Sequence, residues 1–260
     1  MNRSLAFRLL GQGIAYSASP AMMNAAFAGL GLPHRYALAD VTPEAVAKTV
    51  AALRAPEVGG ANVTVPYKGV VVPLLDEVSE VAREADAVNT IVSRDGHLIG
   101  HNTDMPALIE VISSLRPDGL SHALVLGAGG AGRAVQLALA KLGVEHVEML
   151  HRSDGSIERL PRLMRTADLL INATPVGTGS DASPVPADLL RPDLAVLDLV
   201  YRPHPTRLVR EALAAGAAAE DGSAVLLGQA WRAFELWLGR PAPIDTMREA
   251  LTRELETHDD

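Results

Sequence analysis

The segment Gly127-Ala128-Gly129-Gly130-Ala131-Gly132 constrains this chain more than any other stretch. It follows the compact apolar run His122–Leu126 and precedes a helical stretch through Leu142, so the local order is strand, glycine loop, helix. Gly127, Gly129 and Gly132 hold the G-x-G-x-x-G spacing, and each glycine has its own reason. The first permits a tight turn, the second lets a pyrophosphate approach the backbone, and the third lets the helix pack on the strand. The helix N-terminus, with its unpaired N–H groups, is left aimed at negative charge. In that context the pattern reads as a dinucleotide loop and not as an ordinary glycine turn.

About twenty residues further on, at the end of the next strand (His146–Leu150), NAD-binding chains of this type carry an acid for the ribose 2′-hydroxyl. This chain has His151-Arg152-Ser153 there. An Arg and a hydroxyl suit a 2′-phosphate, so NADP is the expected cofactor, with NAD left open by the nearby Asp154. Apolar runs at 167–173 and 195–200 continue a parallel sheet. Only sixteen residues separate Leu150 from Ala167, and one crossover consumes at least about 10–12. A strand and helix of the usual half-fold cannot fit, so the adenine-side half is shortened and the second strand lies at or near the edge.

The first hundred residues alternate β-rich runs (5–12, 35–39, 61–65) with helical stretches (19–30, 43–54), an α/β rhythm. Arg94-Asp95-Gly96 turns a hairpin between 87–93 and His97–His101, because an Asp-Gly pair accepts positive φ. A helix at 103–115 is stopped by Arg116-Pro117-Asp118-Gly119, a candidate domain junction. Helices at 224–238 and Ile244–Glu256 precede a Glu/His/Asp tail read as solvated. The Ala-rich run 212–219 reads as helix.

Composition closes several chemistries. A net charge of −8 without a basic run argues against a nucleic-acid partner, which needs clustered Lys and Arg. The apolar runs end well short of the roughly 20 residues of a membrane span, and the chain reads as cytoplasmic. With no cysteine there are no disulfides, thiolate nucleophiles or Cys-ligated metals. His97 and His101 sit on a hairpin without companions, so no metal is expected. Only Lys48, Lys68 and Lys141 among 23 basic residues are lysines. A lysine here therefore invites a reason, and proton transfer, which a guanidinium cannot serve, is one.

Asn62 and Thr64 point the same way on one strand, Pro66 ends its pairing, and Lys68 follows at the turn into a helix. Asn89-Thr90 ends a second strand. Asn102-Thr103-Asp104 ends a third, where Asp104 suits a helix N-terminus and faces a strand-end crevice of the kind that holds ligands in open α/β sheets. Ser17 and Ser19 add hydroxyls and backbone donors for a carboxylate, with Ser19 as helix cap and Pro20 as first helical residue.

With these residues placed, the chain resembles the shikimate dehydrogenase family. The matching segments are Tyr16-Ser17-Ala18-Ser19-Pro20 with Asn24, Gly60 to Lys68, Asp86 to Thr90, Gly100 to Asp104, the glycine loop, Asn172 to Gly177, Asp198 to Pro203, and Gly222 to Ala230. Together they span nearly the whole chain. The resemblance implies NADP-linked, reversible reduction of 3-dehydroshikimate to shikimate in chorismate and aromatic amino-acid biosynthesis, and a cleft between an N-terminal α/β substrate domain and a Rossmann-like domain. The expected boundaries are 1–102, completed by 231–260, and 103–230.

It further implies Lys68 and Asp104 as the catalytic pair. Ser17, Ser19 and Tyr201 would hold the substrate carboxylate; Asn62, Thr64, Asn89, Asp104 and Gln229 would hold ring hydroxyls. On the cofactor side it implies 127–132, Arg152, Ser153, Thr174, Val200 and Gly222. The substrate would be a small polyhydroxylated acid, and a homodimer is left open. Tyr16, Met23 and Val225 depart from residues the family more often shows. Two alternatives stand beside this reading: a quinate or aminoshikimate dehydrogenase using NAD or NADP, and a catalytically silent dinucleotide-binding protein.

Overall fold

The computed structural model describes residues 3–116 and 118–257. Pro117 of the expected helix stop and residues 258–260 of the tail lie outside them. The chain divides into two compact units, Met1–Asp104 with Leu227–Glu254 and Met105–Leu226 with Leu255–Asp260. In chain order the first hundred residues form β1 (Ala6–Gly11), α1 (Ser19–Gly29), β2 (Arg35–Asp40), α2 (Val46–Ala52), β3 (Val58–Val63), β4 (Glu77–Val78), α3 (Glu80–Glu84), β5 (Thr90–Arg94) and β6 (His97–His101). There follow α4 (Asp104–Leu115), β7 (His122–Leu126), α5 (Gly130–Lys141), β8 (His146–Leu150), α6 (Leu160–Leu163), β9 (Leu169–Asn172), β10 (Ala195–Asp198), α7 (Arg207–Ala214), β11 (Ala218–Asp221), α8 (Gly222–Leu238) and α9 (Ile244–Glu256).

The first unit is built on a six-stranded sheet in the order β2-β1-β3-β5-β6-β4. β1 pairs parallel with β2 and β3, β5 runs antiparallel to both β3 and β6, and β4 pairs parallel with β6. The reversal at β5 brings the C-terminal ends of β3 and β6 and the N-terminal end of β5 to one end of the sheet. Asp95 (φ 52°) and Gly96 (φ 80°) make the turn between β5 and β6, as Asp-Gly predicts. One face of the sheet is packed by a core that includes Leu10, Val50, Leu53, Ala61, Val63 and Ile91. On the other, Phe7 stacks against Trp237 at 4.7 Å and Phe27 at 5.3 Å.

β3 starts earlier than the expected 61–65, because Gly59 and Gly60 sit inside it. A Cβ on Gly59 would lie 2.4 Å from the Phe7 ring, and one on Gly60 would lie 2.2 Å from the Ile91 carbonyl oxygen. These glycines let aromatic rings and a neighbouring strand close onto the backbone; they do not break it. The helix expected after Lys68 is instead a series of turns, with Val71 N–H bonded to the Tyr67 carbonyl and a 3-10 turn at Val72–Leu74.

The second unit is a five-stranded sheet, β11-β10-β9-β7-β8, parallel throughout. Its strands alternate with period two. Val125, Ile171 and Leu197 join α4 and α5 in one core, while Leu124, Leu170 and Val196 join α6 and α7 in the other. β8 is the edge strand and only the single turn of α6 and a 3-10 turn (Ser156–Arg159) link it to β9. The shortened half expected from the residue count is what forms. The Ala-rich run is not helical to its end: α7 stops at Ala214, and Ala218–Asp221 pairs with β10 as a strand.

Trp237 closes the aromatic face and donates its indole N–H to the Ile91 carbonyl at 2.9 Å. Trp237→Ala removes the ring and orphans that carbonyl, and is expected to cost about 3–5 kcal/mol of stability. Urea unfolding followed by circular dichroism would show it; a loss below about 1 kcal/mol would contradict the packing role.

Candidate functional site

At the reversed end of the first sheet the polar residues of four segments converge. Val88 N–H bonds to the Lys68 carbonyl at 2.8 Å, which fixes the Lys68 backbone beside the entry to β5. Asp104 is the first residue of α4, where the helix end attracts negative charge. The Lys68 Nζ donates to Asp104 Oδ2 at 2.8 Å, with a third of the lysine side chain and a fifth of the aspartate exposed. A pair this open adds at most about 1 kcal/mol to stability. Its consequence is positional: one ammonium proton is aimed at the carboxylate.

Asn89-Thr90 opens β5 and does not end a strand, contrary to expectation. Because β5 is antiparallel, that still places it beside Asn62, in register with Thr90. Asn62 is buried and donates to the Asn89 carbonyl at 3.1 Å and to Thr90 Oγ1 at 3.0 Å, while its Oδ1 accepts from the Tyr36 hydroxyl at 2.8 Å. Burial pushes the Tyr36 phenol up, so it remains a donor. Asn89 Oδ1 accepts the Thr103 N–H at 2.7 Å, and its Nδ2 donates to Thr103 Oγ1 at 2.9 Å. Thr103 belongs to the Asn102-Thr103-Asp104 triplet read from the sequence, whereas Tyr36 carries no sequence signal for a place in this network.

Thr64 lies one residue past β3, its N–H bonded to the Leu10 carbonyl at 2.8 Å. Ser17 and Ser19 meet at 3.2 Å. Ser19 does not cap α1: Ala18 is the N-cap, Ser19 is the first helical residue, and its N–H donates to Ser17 Oγ at 3.3 Å. Gln229 is buried on α8, in the part of that helix belonging to the first unit.

In the second unit, Gly127 N–H is bonded to the Leu150 carbonyl at 2.8 Å, so the glycine loop springs from beside the end of β8. Gly127 has φ 103° and a Cβ there would lie 2.9 Å from the Ala173 carbonyl oxygen; a Cβ on Gly132 would lie 2.1 Å from the Gly127 carbonyl oxygen. Gly129 and Gly130, at the start of α5, have nothing within 4 Å of an added Cβ. The loop is thus tight where it meets the sheet and open at the helix N-terminus, with Ala128 and Ala131 exposed, a cradle that fits a pyrophosphate. Arg152 and Ser153 are exposed just past β8.

Asn172 and Asp198 end neighbouring strands in register. Asn172 donates to Asp198 Oδ1 at 2.8 Å and accepts from the Thr174 N–H at 3.0 Å, which sets Thr174. Asp198 also accepts the Val200 N–H at 3.0 Å and the Thr206 hydroxyl at 2.8 Å. Gly222 opens α8, its N–H bonded to the Val200 carbonyl at 3.0 Å, and a Cβ would lie 2.3 Å from the Leu199 carbonyl oxygen. Tyr201 follows directly in the same segment. Among the described residues no group of His, Cys, Asp or Glu could hold a metal ion, and no helix is long and apolar enough to cross a membrane.

Burial pushes the Asp198 carboxyl up to about 6, against its hydrogen-bond donors. An acid raised in the fold contributes stability that is complete below about pH 4 and lost as pH rises through about 6. Asp198→Asn should remove that decline, and the wild-type-minus-variant difference in unfolding free energy should fall by about 2–3 kcal/mol between pH 4 and 7. Parallel stability profiles would contradict it.

Comparison with known proteins matches residues 9–91 to the shikimate dehydrogenase substrate binding domain and residues 222–252 to the shikimate 5′-dehydrogenase C-terminal domain. The chain is 40% identical to the shikimate dehydrogenase (NADP(+)) of Symbiobacterium thermophilum, over 95% of this chain and 94% of the relative. It is 38% identical to the enzyme of that description from Pyrococcus abyssi, over 96% and 98%. Its fold superposes with a TM-score of 0.84 on shikimate 5-dehydrogenase from Thermus thermophilus, solved in complex with NADP(H) and shikimate. That protein is 39% identical, over 96% of this chain and 100% of the other.

Proposed function

The chain belongs to the shikimate dehydrogenase family, and we propose that it catalyses the reversible, NADP-dependent reduction of 3-dehydroshikimate to shikimate, within chorismate and aromatic amino-acid biosynthesis. The observation that carries the chemistry is the Lys68 to Asp104 hydrogen bond at 2.8 Å on the strand-end crevice. NADPH, when bound, supplies the hydride that reduces the ring ketone. Lys68 gives the ketone oxygen its proton as the alkoxide develops, and takes it back in the oxidative direction. Asp104 orients the ammonium and accepts from the adjacent ring hydroxyl.

In the same reading, Ser17, Ser19 and Tyr201 hold the carboxylate, and Thr64 and Gln229 hold ring hydroxyls. Asn62 retains one Oδ1 lone pair and Asn89 one Nδ2 hydrogen beyond the internal bonds described above, and each takes a ring hydroxyl with that valence. Residues 127–132 cradle the pyrophosphate, Arg152 and Ser153 take the 2′-phosphate, and Thr174, Val200 and Gly222 complete the cofactor-binding set. The first unit is the substrate domain and the second the cofactor domain. The reading takes the cytoplasm as its compartment, and a homodimer as an assembly that sedimentation would reveal. The relatives at 38–40% identity bear the NADP-dependent shikimate dehydrogenase name, which favours neither sibling substrates nor silence.

Following nicotinamide absorbance, shikimate with NADP should give the highest kcat/KM among shikimate, quinate and aminoshikimate paired with NADP or NAD. A higher value for quinate would move the assignment to a sibling activity, and no reduction with any pair would leave a silent binder. Lys68→Ala should lower kcat by about 10²–10⁴-fold while shikimate affinity by calorimetry changes far less. Turnover near wild type would end the assignment of the proton donor.

A further inference from the structure

Just past β8, His151 lies between two residues of its own loop, and neither contact is accounted for by the reading above. Its Nδ1 is 2.8 Å from Ser153 Oγ and its Nε2 is 2.8 Å from Asp154 Oδ2. The loop is braced by Ser156: the His151 backbone N–H donates to Ser156 Oγ at 2.9 Å, and Asp154 Oδ1 accepts the Ser156 N–H at 2.8 Å. Hydrogen bonds from the Ser156 hydroxyl and N–H hold the Asp154 carboxyl below its usual range, so it stays charged near neutrality.

We infer that His151 is a specificity-determining residue for the cofactor, taking up a proton as a 2′-phosphate binds and so coupling the preference for NADP over NAD to pH. The inference rests on the assignment of Arg152 and Ser153 to that phosphate. A carboxylate can only accept a hydrogen bond, so in the neutral imidazole the single N–H must be on Nε2, facing Asp154. Nδ1 is then an acceptor and consumes the Ser153 hydroxyl hydrogen. In that state the loop offers a phosphate the Arg152 guanidinium, an occupied hydroxyl and a repelling carboxylate.

Protonation reverses two of these. Nδ1–H now donates to Ser153 Oγ, which frees the hydroxyl hydrogen for a phosphate oxygen, and the imidazolium offsets the Asp154 charge. The other titratable or charged groups on the loop, α5, β8 and the 3-10 turn are Arg152, Arg133 and Lys141 on α5, His146 and Glu148 on β8, and Glu158 and Arg159 on the 3-10 turn. Arg159 is held by Glu148 at 2.9 Å. His151 is the imidazole on the loop itself; the other on these elements, His146, is at the opposite end of β8, its ring centroid 6.4 Å from that of His122.

The test is the dissociation constants of NADP+ and NAD+ measured by calorimetry on the intact protein and on His151→Gln and Asp154→Asn, from pH 6 to 8.5. The 2′-phosphate itself gains a proton near pH 6, so the variant supplies the baseline. Between pH 8 and 6.5 the NADP-over-NAD affinity ratio of the wild type should rise about five-fold relative to His151→Gln. At pH 8, Asp154→Asn should favour NADP about five-fold more than the wild type does. Wild-type and His151→Gln ratios that run parallel across the range would overturn the inference while leaving an NADP enzyme intact. Failure of NADP+ to bind any form would overturn the functional reading beneath it as well.

Discussion

The arrangement of the polar residues at the reversed end of the first sheet depends on the buried side chain and backbone of Asn89. Its N–H bonds to the His101 carbonyl at 3.0 Å, and its carbonyl accepts from Val63 N–H at 2.8 Å and from Asn62. Its carboxamide accepts the N–H of Thr103 and donates to the Thr103 hydroxyl. One residue thereby joins the ends of β3 and β6 to the start of α4, next to the backbone that carries Lys68. Leaving any of these buried groups unpaired would cost about 1–3 kcal/mol. That is more than the open Lys68–Asp104 pair can itself contribute, so the neutral network holds the geometry and the charged pair is its product.

The second unit uses the same logic with other residues. Parallel strands end together, and the polar residues at their ends, Asn172 and Asp198, bond to one another in register. Glycines stand where backbone must approach backbone, at Gly132 against Gly127 and at Gly222 against Leu199. In both units the chemistry-bearing residues lie at strand ends because backbone N–H and C=O groups beyond the last ladder bond are free to seek side chains and ligands.

Much of this was legible in the sequence because it is local. The glycine spacing, the Asp95-Gly96 hairpin and the sixteen-residue arithmetic after Leu150 each depend on neighbouring residues alone, and the edge position of β8 follows from the last. The misreadings are tertiary. Ala218–Asp221 has the alanines of a helix, but a parallel partner in β10 overrides that propensity. The strand expected at 61–65 starts at Val58, because Gly59 and Gly60 accept Phe7, Ile91 and Trp237 against the backbone. Ser19 looks like a cap, yet the hydroxyl that accepts its N–H is that of Ser17. The direction of β5 is set by its partners, so the sequence placed Asn89 in the right company at the wrong end of its strand.

With only three lysines in the chain, the Lys68–Asp104 pair can be read from one spectrum. In ¹⁵N-lysine-labelled protein the Lys68 Nζ resonance, assigned by its loss in Lys68→Arg, should move both when shikimate saturates the protein and when Asp104 is replaced by Asn, while those of Lys48 and Lys141 stay in place. A Lys68 resonance indifferent to both would mean that the lysine and aspartate do not form a proton-handling pair.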